Sequence, residues 1–508
     1  MPAPKQWTLV ATILGSSLTF IDGTVVNVAL PALQADLQAT ITDVQWVIEA
    51  YALFLGALIL VGGSIGDQFG RKRVFLSGVV LFTLASILCG IAPSPRMLIA
   101  GRALQGVGAA FLVPGSLAII SAAFDERERG QAIGTWSGFS AITTAIGPVS
   151  GGWLVEHVSW RAVFFLNVPL AVIVIALSLR FMDESRDPSR TSTIDWAGAV
   201  LAVLSLGGVV FGLLEWPPLG ASHPLVLGAL AIGACSLVLL VIVERRVQNP
   251  MVPFALFLSP PFTFANIVTF LLYAALSVVL FLVPLNLIQV QHYTATAAGA
   301  AFLPLPLIMF ALSRWSGGLV ARVGSRLPLT VGPAIAALGL ALYARPEIGG
   351  SYWTTFFPAV VVLGFGLAIT VAPLTTTVMS AVDSRHAGAA SGVNNAVARV
   401  AGLLAIAVFG VILNRTFDAR VRPSLDRLPL ASQAREEIDR ELRKVAGADL
   451  AQVFSLPPSQ RPVVRAIVAD GFVFAFRLVM MIAAGMALTA AGFGWAIRGN
   501  FRATSTSG

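Results

Sequence analysis

Residues 63–75 read GSIGDQFGRKRVF and lie between two apolar runs, each long enough to cross a bilayer. One acid, Asp67, and three bases, Arg71, Lys72 and Arg73, are packed into a connection too short to fold alone. A basic turn between two such runs belongs at a membrane surface, and the positive-inside bias assigns it to the cytoplasmic side. That assignment sets the side on which every other connection falls.

The bulk properties agree with this stretch. Of 508 residues, 56% are hydrophobic and 11% charged, and the mean hydropathy is +0.84, far above a soluble globular average. The chain reads as an all-α polytopic membrane protein. A net charge of +8 and a pI near 10.2 would suit nucleic acid, but the bases lie mostly in short turns between apolar spans, so nucleic-acid binding is set aside. Cys89 and Cys235 sit in apolar runs far apart, with no His or Cys at ligand spacing, so neither a disulfide framework nor a metal site is expected. The first run follows a single Lys5, carries a charge and lacks a small-residue cleavage site, which marks a retained span rather than a signal peptide.

Runs of about twenty apolar residues broken by turns or charge number about fourteen. Six, from Trp7 to Phe181, precede the charged connection DESRDPSRTSTID at Asp183 to Asp195; two more follow, near Trp196 to Leu214 and Pro224 to Val243. The last six are expected near Phe262 to Ile288, Ala297 to Val320, Leu327 to Tyr343, Trp353 to Met379, Ala387 to Leu413 and Phe472 to Ile497. This divides the chain into a six-helix bundle at 1–182, an inserted pair with linkers at 183–260, a second bundle at 261–497 and a cytoplasmic tail at 498–508. Lysines and arginines favour one set of connections roughly fourfold or more, which places both termini in the cytoplasm of a multi-pass cell-membrane protein. The connection expected from 414 to 470, with its alternating SQAREEIDRELRKV, is extracytoplasmic by span count and reads as a solvated surface helix.

An internal repeat supports two equivalent bundles. GGLVARVGSR at Gly317 to Arg326 repeats the spacing of GSIGDQFGRK at Gly63 to Lys72, with glycines at the first and eighth positions, but Ala321 replaces the acid. Duplicated bundles imply halves that rock around a midplane site.

GSIGDQFGRKR resembles the signature between the second and third spans of the major facilitator superfamily. FIDGTVVNVALPAL, QWVIEAYAL, RALQGVGAA, GPVSGGWL, WRAVFFLNVP and SGVNNAVARVAG are similar, in order and spacing, to its fourteen-span drug:proton antiporter branch. The resemblance covers nearly the whole chain. It implies the major facilitator fold with two inserted helices, no cofactor, and proton-coupled export of lipophilic cationic or neutral drugs by rocker-switch alternating access. Small-molecule substrate, protons and the lipid bilayer are then its partners, and because some members of the branch work with a periplasmic adaptor, an adaptor is a candidate too. Two other readings stay open: a proton-coupled exporter of an endogenous lipid, siderophore or antibiotic, and a transport-inactive scaffold or sensor. No HExxH, Walker-type loop or CxxC occurs, and the four histidines, His157, His223, His292 and His386, all fall in connections, so no enzyme is expected.

Proton coupling requires titratable groups inside the membrane. Asp22, Glu49 and Arg102 fall in spans one, two and four at comparable depth in the outer half of the bilayer, at about 1.5 Å per residue, and could meet. Hydrocarbon disfavours an ionised carboxylate and a neighbouring arginine favours it, a competition that makes a proton switch. Asp22 is the expected carrier and Arg102 its tuning partner, both on positions of the branch motif; Glu49 is either a second carrier or a cation-recognising acid, and it departs from the branch pattern. Gly147, Pro148, Gly151 and Gly152 form a bent, close-packing stretch that resembles the branch's antiporter signature, implying a seal against proton leak. Asp67 with Arg71 and Arg129, and Gly63 and Gly70 for the tight backbone, form a candidate conformational latch. Asn394 and Arg399, and Arg477 in the last span, are candidate substrate contacts or interhelical ties.

Overall fold

The computed structural model describes residues 3–124, 126–186, 195–247, 254–382, 387–442, 444–445, 453 and 456–497. The first helix group comprises α1 (Ala3–Asp36), α2 (Ile41–Phe69), α3 (Arg71–Gly90), α4 (Pro95–Ala123), α5 (Glu126–His157), and α6 (Ala162–Phe165) continued by α7 (Asn167–Phe181). A middle pair follows, α8 (Trp196–Leu219) and α9 (Pro224–Glu244). The second group comprises α10 (Pro260–Leu285), α11 (Ala295–Ala300), α12 (Pro304–Gly317), α13 (Leu319–Val323), α14 (Arg326–Leu342), α15 (Phe356–Ser380), α16 (Ala387–Asp426), α17 (Ser432–Leu442) and α18 (Arg461–Ala496). Among the described residues, twelve helical stretches are long and apolar enough to cross a membrane.

Helix starts follow local chemistry. Thr40 and Asp43 cap α2 reciprocally, each side chain bonding the other's backbone N–H at 3.1 and 2.8 Å, and Ser94 followed by Pro95 opens α4. The break between α11 and α12 precedes Pro304, whose ring suits a helix start and not an interior. The span expected from Ala297 to Val320 is therefore three short helices.

The repeated turns share a backbone feature. Gly70 ends α2 at φ +110° and Gly324 ends α13 at φ +75°, values at which a side chain is strained and glycine is not. Gly63 behaves differently from expectation. It lies inside α2, where an added Cβ would meet Pro114 at an ordinary 3.5 Å, so Gly70 alone carries the tight backbone.

The 414–470 connection is corrected by the structure. α16 continues as helix to Asp426 and α18 starts at Arg461, because charge pairs rather than hydropathy carry them onward: Arg420 meets Asp470 at 3.1 Å, and Arg422 meets Asp418 and Asp439 at 3.8 and 3.6 Å. α17 is not simply a solvated helix. It buries Ala434, Ile438 and Leu442, the last two in the same apolar core that includes Leu425, Val464 and Val468.

Packing is dense within each group, α2 on α4, α3 on α4 and α1 on α5 in the first, and α14 on α15 and α18, and α10 on α16, in the second. Between the groups, α5 meets α11 and α2 meets α16, while α8 packs on both α2 and α16.

Candidate functional site: a buried acid network and two seams

Asp22 is fully buried on α1, and three donors converge on its carboxylate. Arg102 Nη1 on α4 donates to Oδ2 at 2.5 Å, while Gln105 Nε2 and Asn167 Nδ2 donate to Oδ1 at 2.8 and 3.4 Å. Arg102 is itself buried and donates to the Gln105 side-chain oxygen at 2.7 Å and, through Nε, to the Val47 carbonyl at 3.0 Å. Its guanidinium lies 4.4 Å from the Tyr51 ring centroid and 6.0 Å from that of Phe164, so cation–π attraction adds to the ion pair. Ser86 completes the network by accepting from Asn167 at 2.9 Å. Four spans, α1, α2, α3 and α4, and the start of α7 are thus tied through one carboxylate. A buried pair of this kind survives only when its remaining donors and acceptors are also satisfied.

Asp22 and Arg102 are therefore brought together, and Glu49 is not. Glu49 is fully buried on α2, yet neither carboxyl oxygen has a hydrogen-bond partner among the described residues. Its face of the helix is set by its neighbours: Gln45, one turn earlier, donates to the Ile406 carbonyl at 3.4 Å, and Gly56, two turns later, lies 3.7 Å from the Arg399 Cβ by an added Cβ. Spacings of four and seven share one helix face, so Glu49 belongs to the α2–α16 seam. α8 covers that seam from outside, with Val210 and Leu214 against Leu53, Leu403 and Ala407, and Glu215 accepting from Trp46 at 3.0 Å.

The α5–α11 seam is built from backbone. A Cβ on Gly152 would overlap the Ala295 carbonyl and the Thr296 backbone, and one on Gly299 would overlap the Pro148 carbonyl. Gly147 and Gly151 face inward, against Thr24 and Val25 of α1. An apolar groove of about 560 Å³ lies beside this seam, lined from both groups by Ile146, Val149, Trp153, Leu166 and Leu303. Beyond the ends of α1 and α10, Lys444 joins the groups: its Nζ donates to Gln38 at 2.5 Å, and its carbonyl accepts from Gln34, which in turn accepts from Gln289 at 2.7 Å.

The remaining predicted residues separate into ties and turns. Asn394 donates to Asn266 and Thr269 of α10 at 3.1 and 2.6 Å, a bond inside the second group. Arg477 donates to the carbonyls of Arg345 and Pro346 at 3.0–3.2 Å, and so holds a connection. Asp67 and Arg129 lie on α2 and α5, and their side chains fall outside the described residues. Arg71 donates its backbone N–H to Ser185 at 2.9 Å, and Glu184 accepts from the N–H groups of Lys72 and Arg73 at 3.0 and 3.2 Å. A carboxylate at a helix N-terminus is favoured by the exposed donors there, so residues 182–185 dock the 63–75 turn within the first group.

Sequence reasoning missed Gln105, Asn167, Ser86, Tyr51 and Glu184. Gln105 was readable as the residue one turn after Arg102 on the same face; the others are joined only by the fold.

A family model described as Major Facilitator Superfamily matches residues 12–406. The chain is 35% identical over 426 residues to the multidrug resistance protein Stp of Mycobacterium tuberculosis, covering 83% of this chain and 78% of that one. It is 36% identical over 423 residues to the puromycin resistance protein pur8 of Streptomyces alboniger, covering 81% and 82%. It is 31% identical over 498 residues to the tetracenomycin C resistance and export protein of Streptomyces glaucescens, covering 96% and 90%. Among solved structures, a bacterial homologue of the human lysosomal transporter Spinster, inward-facing and unoccupied, is similar at TM-score 0.70 and 17% identity, covering 98% and 97%. Matched along most of its length by the family model and by relatives at this level of identity, the chain belongs to the Major Facilitator Superfamily and is a multi-pass membrane transporter.

Proposed function

We propose that this protein is a proton-coupled antiporter that exports lipophilic cationic or neutral drugs across the cell membrane by alternating access. The observation that carries the reading is the Asp22 network: a carboxylate buried among membrane spans, held by Arg102, Gln105 and Asn167, in a chain similar to named multidrug and antibiotic resistance proteins. A proton arriving on Asp22 puts an O–H donor where an acceptor faced N–H donors. The contact to Arg102 or to Gln105 must then lengthen, loosening α1 from α4. That converts a protonation into a change of helix packing.

Supporting the fourteen-span topology, α5, of 32 residues, and α14, a shorter apolar helix of 17 residues, stand beside the twelve stretches long and apolar enough to cross a membrane. α8 and α9 form the inserted pair. The basic 63–75 turn argues for cytoplasmic termini; the hydrogen bonds between groups then lie toward the outer side, and the state is open to the cytoplasm. Tight backbone contact at Gly152 and Gly299 suits a seal, and the docked 63–75 turn suits a latch. Export of an endogenous antibiotic rests on the same machinery and is favoured by the similarity to the tetracenomycin C resistance and export protein of Streptomyces glaucescens.

The test is efflux of a lipophilic cationic dye from proteoliposomes with and without an imposed pH gradient. The wild type is expected to accelerate efflux when the gradient is imposed, and Asp22→Asn to lose that acceleration while remaining monodisperse. Gradient-driven transport retained by Asp22→Asn would remove Asp22 from the mechanism, and absence of any flux from the wild type would remove the function.

A further inference from the structure

Glu49 has no counterpart role in the Asp22 network, and its surroundings are unusual for a carboxyl group. Both oxygens are sealed from solvent and from hydrogen-bond donors among the described residues. An ionised carboxylate left in this way would carry an uncompensated charge in a low-dielectric seam, a cost of several kcal/mol; a protonated carboxyl lowers it greatly.

The charged and titratable groups on the packed elements leave the site without a counter-charge. Arg102 on α4 is committed to Asp22 of α1, to Gln105 and to the Val47 carbonyl. Glu215 on α8 is committed to Trp46, and the bases at 71–73 lie at the far end of α3. On α2 itself, Asp43 closes the helix cap, Tyr51 faces Arg102 and Asp67 lies at the distal end. Arg399 on α16 makes no ion pair among the described residues; its Cβ faces Gly56, about 10 Å along the axis from Glu49, and its guanidinium interacts with the Tyr51 side chain rather than with Glu49.

The geometry points to Glu49 as the cation subsite of this transporter, charged and available only when α2 and α16 part. With the seam closed, Glu49 holds a proton. As α16 and α8 withdraw to open the outer side, water enters and the carboxyl passes its proton to that water. The carboxylate becomes the counter-charge for an organic cation on its way outward, whose apolar body lies against Leu53, Leu403 and Ala407. Closing the seam with the cation gone requires the proton to return. Proton and cation thus exclude one another at Glu49, whereas Asp22 stays inside the first group in both arrangements. This rests on the proton-coupled drug exporter reading above and adds to it the residue that selects for positive charge.

The test uses the full-length protein in detergent with tetraphenylphosphonium as probe. Binding to the wild type is expected to weaken as pH falls; Glu49→Gln should bind at least about tenfold more weakly, the scale of one lost charge pair, and lose that pH dependence. Glu49→Asp, which keeps the charge, should recover part of the affinity. N,N′-dicyclohexylcarbodiimide, which adds to protonated carboxyl groups in apolar surroundings, should label the Glu49 peptide, and tetraphenylphosphonium should suppress that labelling. Equal binding by wild type and Glu49→Gln, absence of binding to the wild type, or labelling indifferent to tetraphenylphosphonium would each overturn the proposal. Gradient-driven flux is measured in parallel: a wild type that binds the cation but shows no such flux refutes the exporter reading alone, and one that shows flux while Glu49→Gln binds normally refutes the cation subsite alone.

Discussion

At the α5–α11 seam the helix groups meet backbone on backbone, Gly152 against Ala295 and Thr296, and Gly299 against Pro148. At the α2–α16 seam they meet through polar side chains, with Gln45 reaching the Ile406 carbonyl and Glu49 buried unpartnered. The first contact leaves no room for a methyl group, and its charged group, Glu156, is exposed at the rim, where it accepts the Thr296 N–H at 3.3 Å. The second is costly unless Glu49 is neutral, so its closure depends on protonation. One seam supplies fit, and the other supplies a condition for closing.

The contrast is broken most forcefully at its fixed reference, the Asp22 network. Arg102→Ala leaves a buried carboxylate without its cation, a loss of about 3–5 kcal/mol, and is expected to lower the thermal midpoint strongly and abolish gradient-driven efflux. Thermal unfolding followed by intrinsic fluorescence reads the first effect. A midpoint unchanged from wild type would show that the pair is not a structural tie.

Gly152→Val comes next. Overpacking costs about 1–3 kcal/mol, and here it falls on the closed arrangement rather than on either group alone. The variant is expected to fold, to transport at least about tenfold more slowly, and to label faster at a Thr296→Cys probe. Gly147→Ala, which presses on Thr24 of α1 inside one group, should instead act mainly on stability.

A smaller effect sharpens the polar seam. Lys444→Ala removes the bond to Gln38, worth about 1 kcal/mol. Labelling of a Gln45→Cys probe should therefore rise about fivefold as the closed population falls. The smallest effect is expected from Glu347→Gln, whose exposed ion pair with Arg477 spans 3.4 Å; transport should change by less than about twofold.

Much of this was legible in the sequence, for identifiable reasons. Bilayer thickness writes itself into hydropathy, so most spans were placed within a few residues. The repeat at Gly63 to Lys72 and Gly317 to Arg326 foretold the glycines that terminate α2 and α13 at positive φ, since only glycine takes that backbone cheaply. Asp22 and Arg102 stood out because charge inside a span is rare. Hydropathy says nothing beyond the bilayer edge, so it does not distinguish the continuation of α16 to Asp426 and the start of α18 at Arg461 from one long connection. The docking of Glu184 on the 63–75 turn and of Lys444 on Gln34 and Gln38 joins residues more than a hundred and four hundred positions apart, which no local pattern encodes. Equal depth suggested that Glu49 would join Asp22 and Arg102; depth does not specify which side of α2 it faces, and the Gln45 and Gly56 contacts turn it toward α16.

The central claim, that a proton on Asp22 is exchanged for drug, is tested most directly by proton release. Purified protein in weakly buffered detergent solution, loaded with protons at low pH, receives a saturating drug while pH is followed. The account predicts clearly less release from Asp22→Asn than from the wild type, the remainder coming from Glu49; equal release from both would contradict it.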